Sequence, residues 1–140
     1  MAVHRFRLLS AFAEFPLAGN ALAVFEDGRG LSDQRMQALA LQFNLSETTF
    51  LFPSAVAAAK VRIFSPSFEL PFAGHPTLGT AHVARSLSMG GDSLTLEMRA
   101  GAIPVTAEAD AHRPPVQARA ARRCGARDLR DRQGHRDRSR

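Results

Sequence analysis

The alternation of hydrophobic and polar positions divides the first 107 residues into short strands and two helices. Strands are predicted where apolar residues alternate with polar ones, or where β-branched and aromatic residues form short runs. Gly, Pro and Asn residues, which favour turns, separate several of these segments. The predicted strands are residues 5–11, 21–25, 48–52, 60–65, 93–98 and 103–107.

The first predicted helix shows an apolar face. Four apolar residues recur at spacings of three, four and seven: Met36, Leu39, Ala40 and Phe43. This spacing places them on one side of an amphipathic helix. Ser32 is a typical N-cap residue, and Asp33 in the first turn suits the positive end of the helix dipole. A helix is therefore expected to follow Ser32 and to end at Asn44.

The second predicted helix begins at Pro76 and runs to about Leu87. Proline suits the first helical position because an amide there has no partner within the helix. A turn at Ala73-Gly74 would place His75 at the N-terminus of this helix, where unpaired amides and the helix dipole favour a carboxylate. A Gly-His-Pro sequence is also a common plain helix start, so both interpretations stay open on these residues alone.

The elements together predict an α+β fold, in which a mixed sheet curls around one buried helix. The chain of 140 residues suits one domain. It has no apolar run long enough for a membrane span, and its first residues lack the apolar segment of a secretory signal. The single cysteine, Cys124, has no internal disulfide partner. We therefore expect a cytoplasmic protein with no membrane contact.

The net charge of +5 hides two different parts of the chain. Residues 1–110 hold eight Lys or Arg against ten Asp or Glu, a net charge of −2. Residues 111–140 hold ten Arg against three Asp, a net charge of +7. The second part has too few large apolar residues to offset its ordering entropy, so we expect a domain at 1–110 and a disordered basic tail at 111–140.

The Arg-rich tail has two interpretations. Arginines can bind nucleic acid through its phosphates, but the tail lacks aromatic residues for base stacking and three aspartates interrupt it. We prefer the hypothesis that a GC-rich reading frame is translated out of register, because Arg, Ala, Pro and Gly dominate such translations. The other two frames of the DNA from about codon 108 test this idea.

Three motifs carry a resemblance to a known family. They are Gly19-Asn20 in a turn, the segment NLSET at 44–48, and the segment ELPFAGHPTLGT at 69–80. Their order and spacing resemble the PhzF-like family of phenazine-biosynthesis isomerases, which has the diaminopimelate-epimerase fold. The resemblance covers about residues 4–108. It implies one lobe of a two-lobed protein, with the active site in the cleft between the lobes.

The resemblance also implies roles for particular residues. Glu47 matches the glutamate that this family uses as its acid/base, and the implied reaction is a cofactor-free proton shift that isomerises a small cyclic enol acid. His75 and Gly74 match substrate-holding positions, and Asn20 and Ser46 border the same cleft. Position alone would make Glu47 a surface carboxylate. A purely capping role for His75 also stays open.

Other histidines and cysteines do not suggest a site. His82 falls within the second helix and is predicted to be a core histidine. No Cys and His residues stand at metal-ligand spacing, so we expect no metal. Epimerases and racemases of the resembled fold use two cysteines, and the resemblance implies that Glu47 stands where one of them would be. Cys124 lies in the tail, so racemisation by two cysteines is not expected.

The second lobe that the resemblance implies is missing from this sequence. A cleft with one wall leaves its catalytic group facing water, so an inactive or weakly active isomerase fragment is expected. Two alternatives remain. One is a non-enzymatic lobe that forms a homodimer or docks a partner, and the other is a nucleic-acid binder that uses the basic tail.

Overall fold

The structure, a computed structural model, describes residues 3–15, 17–107 and 119–120. Its elements form an α+β domain, as the sequence pattern predicts. In chain order they are β1 (Phe6–Ala11), β2 (Asn20–Phe25), α1 (Asp33–Phe43), β3 (Glu47–Phe52), β4 (Ala59–Phe64), β5 (Glu69–Leu70), α2 (Gly74–Ser86), β6 (Ser93–Met98), β7 (Gly101–Thr106) and β8 (Arg119–Ala120).

The strands of the described ranges form one mixed sheet. Its order is β7-β6-β4-β3-β2-β1-β8, and β5 pairs with β4 beside this path. Two pairs are parallel, β2 with β3 and β4 with β6, and the other pairs are antiparallel. The parallel β2–β3 pair is joined through α1, which gives the sheet its second helical layer.

The two helices pack on opposite faces of this sheet. Helix α2 contacts β1, β2, β3, β4 and β6, so the sheet curls around it. Large apolar residues fill the space between them: Leu9, Leu22, Leu51, Ile63, Val83 and Leu96. Helix α1 covers the other face through Met36 and Ala40, which pack with a group of phenylalanines. The prediction of a sheet curled around one buried helix is confirmed.

The N-terminal and C-terminal signals of α1 work as predicted. The Oγ atom of Ser32 accepts a hydrogen bond from the amide of Arg35 at 3.2 Å. Asn44 adopts the left-handed conformation with φ 52° and closes the helix, its amide donating to Ala40. Asparagine tolerates this conformation better than most residues, which explains why the helix ends there.

The predicted start of α2 is wrong by two residues. The N-cap is Ala73, Gly74 is the first helical residue, and Pro76 is the third. Proline is tolerated there because none of the first four amides of a helix has an intrahelical acceptor. The correction makes His75 part of the first helical turn.

Two short strands were not predicted. Strand β5 has two residues, too few to show a hydrophobic pattern, and it forms through pairing with β4. Strand β8 pairs Arg119 and Ala120 with the start of β1. Apart from these two residues, the predicted tail at 111–140 lies outside the described residues.

Candidate active site

Glu47 and His75 come together at the N-terminus of α2, although they are 28 positions apart in the chain. The Oε2 atom of Glu47 lies 3.0 Å from the Nε2 atom of His75. The two side chains are 17% and 14% exposed, respectively, so each sits mostly out of solvent at the edge of the domain. A carboxylate and an imidazole are thus held side by side.

The two facing atoms lack hydrogen-bond partners. Oε2 of Glu47 and Nε2 of His75 are shielded from solvent, and their relative orientation does not form a hydrogen bond despite their short separation. Buried polar groups without partners are rare because each carries the cost of lost hydration. Neither facing atom is open to solvent, so a ligand would have to reach the pair through its other, partly exposed atoms.

A hydrogen bond between two threonines fixes α2 against β3. The Oγ1 atoms of Thr49 and Thr80 are 2.7 Å apart, and both side chains are buried. Alternate strand residues share a face, so Glu47 lies on the same face of β3 as Thr49. Counted from this bond toward the N-terminus, Glu47 is two strand residues away, about 6.6 Å. His75 is five helical residues away, about 7.5 Å. Because the two distances are similar, the two side chains lie beside each other.

The parallel pairing of β2 with β3 determines which residue lies next to Glu47 in the sheet. Leu22 of β2 lies opposite Glu47 in the register. Helix α2 crosses Leu22 at Gly79 so closely that an added Cβ would lie 2.5 Å from the Cδ2 atom of Leu22. Gly79 therefore lets the helix lie close to Leu22, the residue that pairs with Glu47.

The other predicted site residues lie around the pair without bonding to it. Gly74 precedes His75, is exposed, and has open space where a Cβ would lie. Ser46 is exposed and directly precedes β3. Asn20 is the exposed first residue of β2, about 7 Å along that strand from the residue opposite Glu47. Neither the Ser46 nor the Asn20 side chain hydrogen-bonds to Glu47 or His75.

An apolar groove adjoins the N-terminus of α2, and the sequence pattern did not point to it. It has a volume of about 350 Å³ and is lined by residues of α2, of β7 and of the segments after β1 and β5. Phe12, Phe72 and Leu78 contribute large apolar side chains that are 60%, 46% and 47% exposed. Gly74 also lines this groove, so it reaches the start of the helix that carries His75.

The prediction for His82 needs correction. Its side chain is half-buried on α2, rather than fully within the core. Burial lowers the pKa of His82, and the positive charges of Arg85 and Arg7 lower it further. The neutral imidazole is therefore favoured, and His82 lies two helical turns from His75, outside the pair described above.

The part of the chain that the structure describes contains neither a metal-binding cluster nor a membrane-spanning helix. No group of three or more His, Cys, Asp or Glu side chains there is arranged to hold a metal ion. No described helix is both long enough and apolar enough to cross a membrane.

The fold is that of an epimerase-like α+β domain, with a central helix whose N-terminus meets a carboxylate. Residues 9–120 match the PhzC-PhzF family model, described as phenazine biosynthesis-like protein. The chain belongs to this family, and the resemblance drawn from the three motifs is confirmed. The match includes the first ten residues of the predicted tail.

Comparison with individual proteins agrees with this assignment. A trans-2,3-dihydro-3-hydroxyanthranilate isomerase from Pseudomonas aeruginosa is 49% identical over 107 residues, which cover 76% of this chain and 38% of the relative. A PhzF-family phenazine biosynthesis protein from Bacillus anthracis superposes with a TM-score of 0.73 at 31% identity, covering 79% of this chain and 38% of that one.

A third protein, from Pseudomonas aeruginosa and described as a predicted epimerase, has a TM-score of 0.66 at 40% identity, covering 72% of this chain and 37% of that one. The chain thus spans less than two fifths of the length of each of these three proteins.

Proposed function

We propose that this chain carries the proton-transferring half of a PhzF-type isomerase active site. The substrate class is a small cyclic acid such as trans-2,3-dihydro-3-hydroxyanthranilate, named for the Pseudomonas aeruginosa relative. The observation that supports the proposal is the Glu47–His75 pair, whose facing atoms are 3.0 Å apart, shielded from solvent and outside hydrogen-bond geometry. Family membership gives this pair its chemical context.

In the proposed reaction Glu47 is both the base and the acid. Its carboxylate takes a proton from a ring carbon of the substrate, and the electron pair of that C–H bond moves into the ring as a double bond shifts. The resulting carboxylic acid returns the proton to another ring carbon on the same face. Atoms and charge balance within the substrate, so the step needs no oxidant, reductant or cofactor.

His75 and the start of α2 are proposed to hold the substrate carboxylate. Ala73, the N-cap residue, offers no side chain to bond the first-turn amides. Those amides and the positive end of the helix dipole therefore remain suited to an anion. Gly74 has no side chain to cover them, and Ser46 and Asn20 border the same opening.

Full activity is proposed to need a second wall over this site. Glu47 remains 17% exposed, and proton transfer benefits when water is excluded from the reacting groups. The relative named above is much longer than this chain, which covers 38% of its length. The isolated chain is therefore proposed to bind and react weakly.

A matched pair of glutamate variants tests the proposal. Isomerisation of trans-2,3-dihydro-3-hydroxyanthranilate by the full chain is followed by absorbance, and exchange of ring hydrogens in D₂O by NMR. Glu47→Gln is expected to lower either rate by about 10²–10⁴-fold, the usual contribution of a general acid/base. Glu26→Gln is the control, because Glu26 is 18% exposed and also pairs with a basic residue, Arg7, at 2.6 Å.

Two results would contradict the proposed role of Glu47. One is a rate that Glu47→Gln leaves unchanged, and the other is an equal loss in Glu26→Gln. Binding is measured separately by calorimetry with 3-hydroxyanthranilate as an unreactive probe. His75→Ala should weaken that binding, while Glu26→Gln should leave it unaltered. If the wild-type chain neither binds the probe nor exchanges hydrogens, the proposed function fails for this chain.

A second candidate function is docking of another lobe or a second copy, which the apolar groove favours. Phe12, Phe72 and Leu78 together expose more apolar surface than isolated surface residues do. A homodimer would cover this groove and is detected by light scattering after size exclusion. Phe72→Ser, which removes an exposed ring, should shift the distribution toward monomer. A wild-type chain that stays monomeric at high concentration would remove the homodimer.

A further inference from the structure

Glu69, the acidic residue of the segment that leads to His75, is held by two arginines. The Nε and Nη2 atoms of Arg62 donate to its Oε1 and Oε2 atoms, both at 2.8 Å. The Nη1 atom of Arg99 lies 3.3 Å from Oε2. Glu69 is 14% exposed, so this charge is both covered and neutralised.

Arg62 connects three elements through one guanidinium group. Arg62 lies in β4 and donates to Glu69 of β5. Its Nη1 atom also donates to Oδ1 of Asp33, in the first turn of α1, at 2.7 Å. Its guanidinium carbon also lies 5.3 Å from the centre of the Phe64 ring. A planar guanidinium that binds a carboxylate with two bonds fixes direction as well as distance.

The chain between this ion pair and His75 is short. Three residues, 71–73, separate the end of β5 from the first residue of α2. The carbonyl of Pro71 accepts a hydrogen bond from the amide of Ala100 at 3.2 Å, which restrains this connection further. In the sheet, Glu69 pairs with Phe64, and Phe64 pairs with Thr48, the neighbour of Glu47. The row that contains Glu69 thus ends one residue from Glu47, and Glu69 itself lies six positions before His75.

We propose that Arg62 and Glu69 are positioning residues that hold the N-terminus of α2 so that His75 faces Glu47. They act through the 71–73 connection and do not touch the substrate. The proposal rests on the proposed function for its chemical meaning, since a displacement of about 1 Å at a reacting group can cost a large factor in rate. The position of His75 relative to Glu47 can be measured without any substrate.

The test is a double-mutant cycle read by NMR of the His75 imidazole in the full chain. In the wild-type background, Glu47→Gln should shift the ring signals of His75, because the two groups are 3.0 Å apart. In the Arg62→Met background, Glu47→Gln should cause a much smaller shift of the His75 ring signals. Arg62→Lys keeps the charge but not the two-bond geometry, so its response should be intermediate.

Arg29→Met is the matched control. Arg29 makes the same kind of two-bond pair with Asp27, through contacts of 3.0 and 2.8 Å. That pair lies in the loop whose Gly28 amide bonds to Leu51, at the opposite end of β3 from Glu47. The response of His75 to Glu47→Gln should be complete in this background. A complete response in Arg62→Met would overturn the proposal.

A second variant keeps the test decisive if Arg62→Met does not fold. Glu69→Gln preserves the shape of the side chain and weakens its bonds to Arg62, so it should also reduce the response of His75. An undiminished response in a folded Glu69→Gln variant would overturn the proposal. Because the readout needs no substrate, failure to bind 3-hydroxyanthranilate would count against the proposed function and leave this inference standing.

Discussion

Gly79→Ala probes how closely α2 must approach the sheet. The new methyl group would start 2.5 Å from the Cδ2 atom of Leu22, a side chain with no exposed surface. An ordinary contact between carbon atoms is about 3.5 Å or more, so the helix or the leucine must move by about 1 Å. Leu22 lies opposite Glu47 in the register, so this movement occurs beneath the candidate site.

Two opposing terms set the size of the effect. Overpacking a well-filled core costs about 1–3 kcal/mol. Replacing glycine by alanine inside a helix returns about 1 kcal/mol of helix propensity. The free energy of unfolding should therefore fall by up to about 2 kcal/mol, with no change in the denaturant slope. Urea unfolding followed by circular dichroism measures both quantities.

The Leu22→Val background separates the two terms, because valine lacks the δ-carbon that clashes. There, Gly79→Ala should stabilise the fold by about 1 kcal/mol through helix propensity alone. Gly74→Ala serves as a control in the same helix, since a Cβ at that position meets nothing within 4 Å. If Gly79→Ala stabilises the wild-type background as much as the Leu22→Val background, the close approach at Leu22 is not a constraint.

Two further predictions concern stability. Burial, with smaller contributions from nearby arginines, lowers the pKa of His82 below its ordinary value of 6.5, so the unfolded state binds the proton more readily. Stability should therefore fall as the pH drops below 6.5. Thermal melts on both sides of that pH should show a smaller fall for His82→Gln than for the wild type. Gly19→Ala should lower the free energy of unfolding by about 1–3 kcal/mol in urea, because its Cβ would lie 2.1 Å from the backbone carbonyl oxygen of Ala11. Unchanged stability of Gly19→Ala would contradict this prediction.

The sequence predicted the elements whose signals are local. Helix α1 followed from the spacing of its apolar residues together with a serine before it and an asparagine after it. Strand β5 was missed because two residues carry no periodicity, and its existence depends on pairing with β4. The start of α2 was misplaced because proline is accepted anywhere in the first turn, so Pro76 does not mark one position.

The candidate site was predicted only in part. Motif resemblance pointed to Glu47 and His75, but periodicity could not show that they meet. Their contact depends on the parallel pairing of β2 with β3, on the Thr49–Thr80 hydrogen bond and on the close crossing at Gly79. Each of these joins residues that are distant in the chain, and single-sequence patterns report only local spacing. The roles of the site residues stay predictions.

Replacing both members of the Glu47–His75 pair tests whether the pair serves function or stability. If the pair stabilised the fold, removing both groups would lower the free energy of unfolding. Here the facing atoms are shielded and their 3.0 Å contact lies outside hydrogen-bond geometry, so replacing both side chains with apolar groups removes two poorly compensated buried polar groups. The double variant Glu47→Met/His75→Leu should therefore be at least as stable in urea as the wild type, while binding of 3-hydroxyanthranilate is lost. Replacing both members of a buried ion pair with apolar groups is often neutral or stabilising. Destabilisation of the double variant by several kcal/mol would therefore make the pair a structural feature.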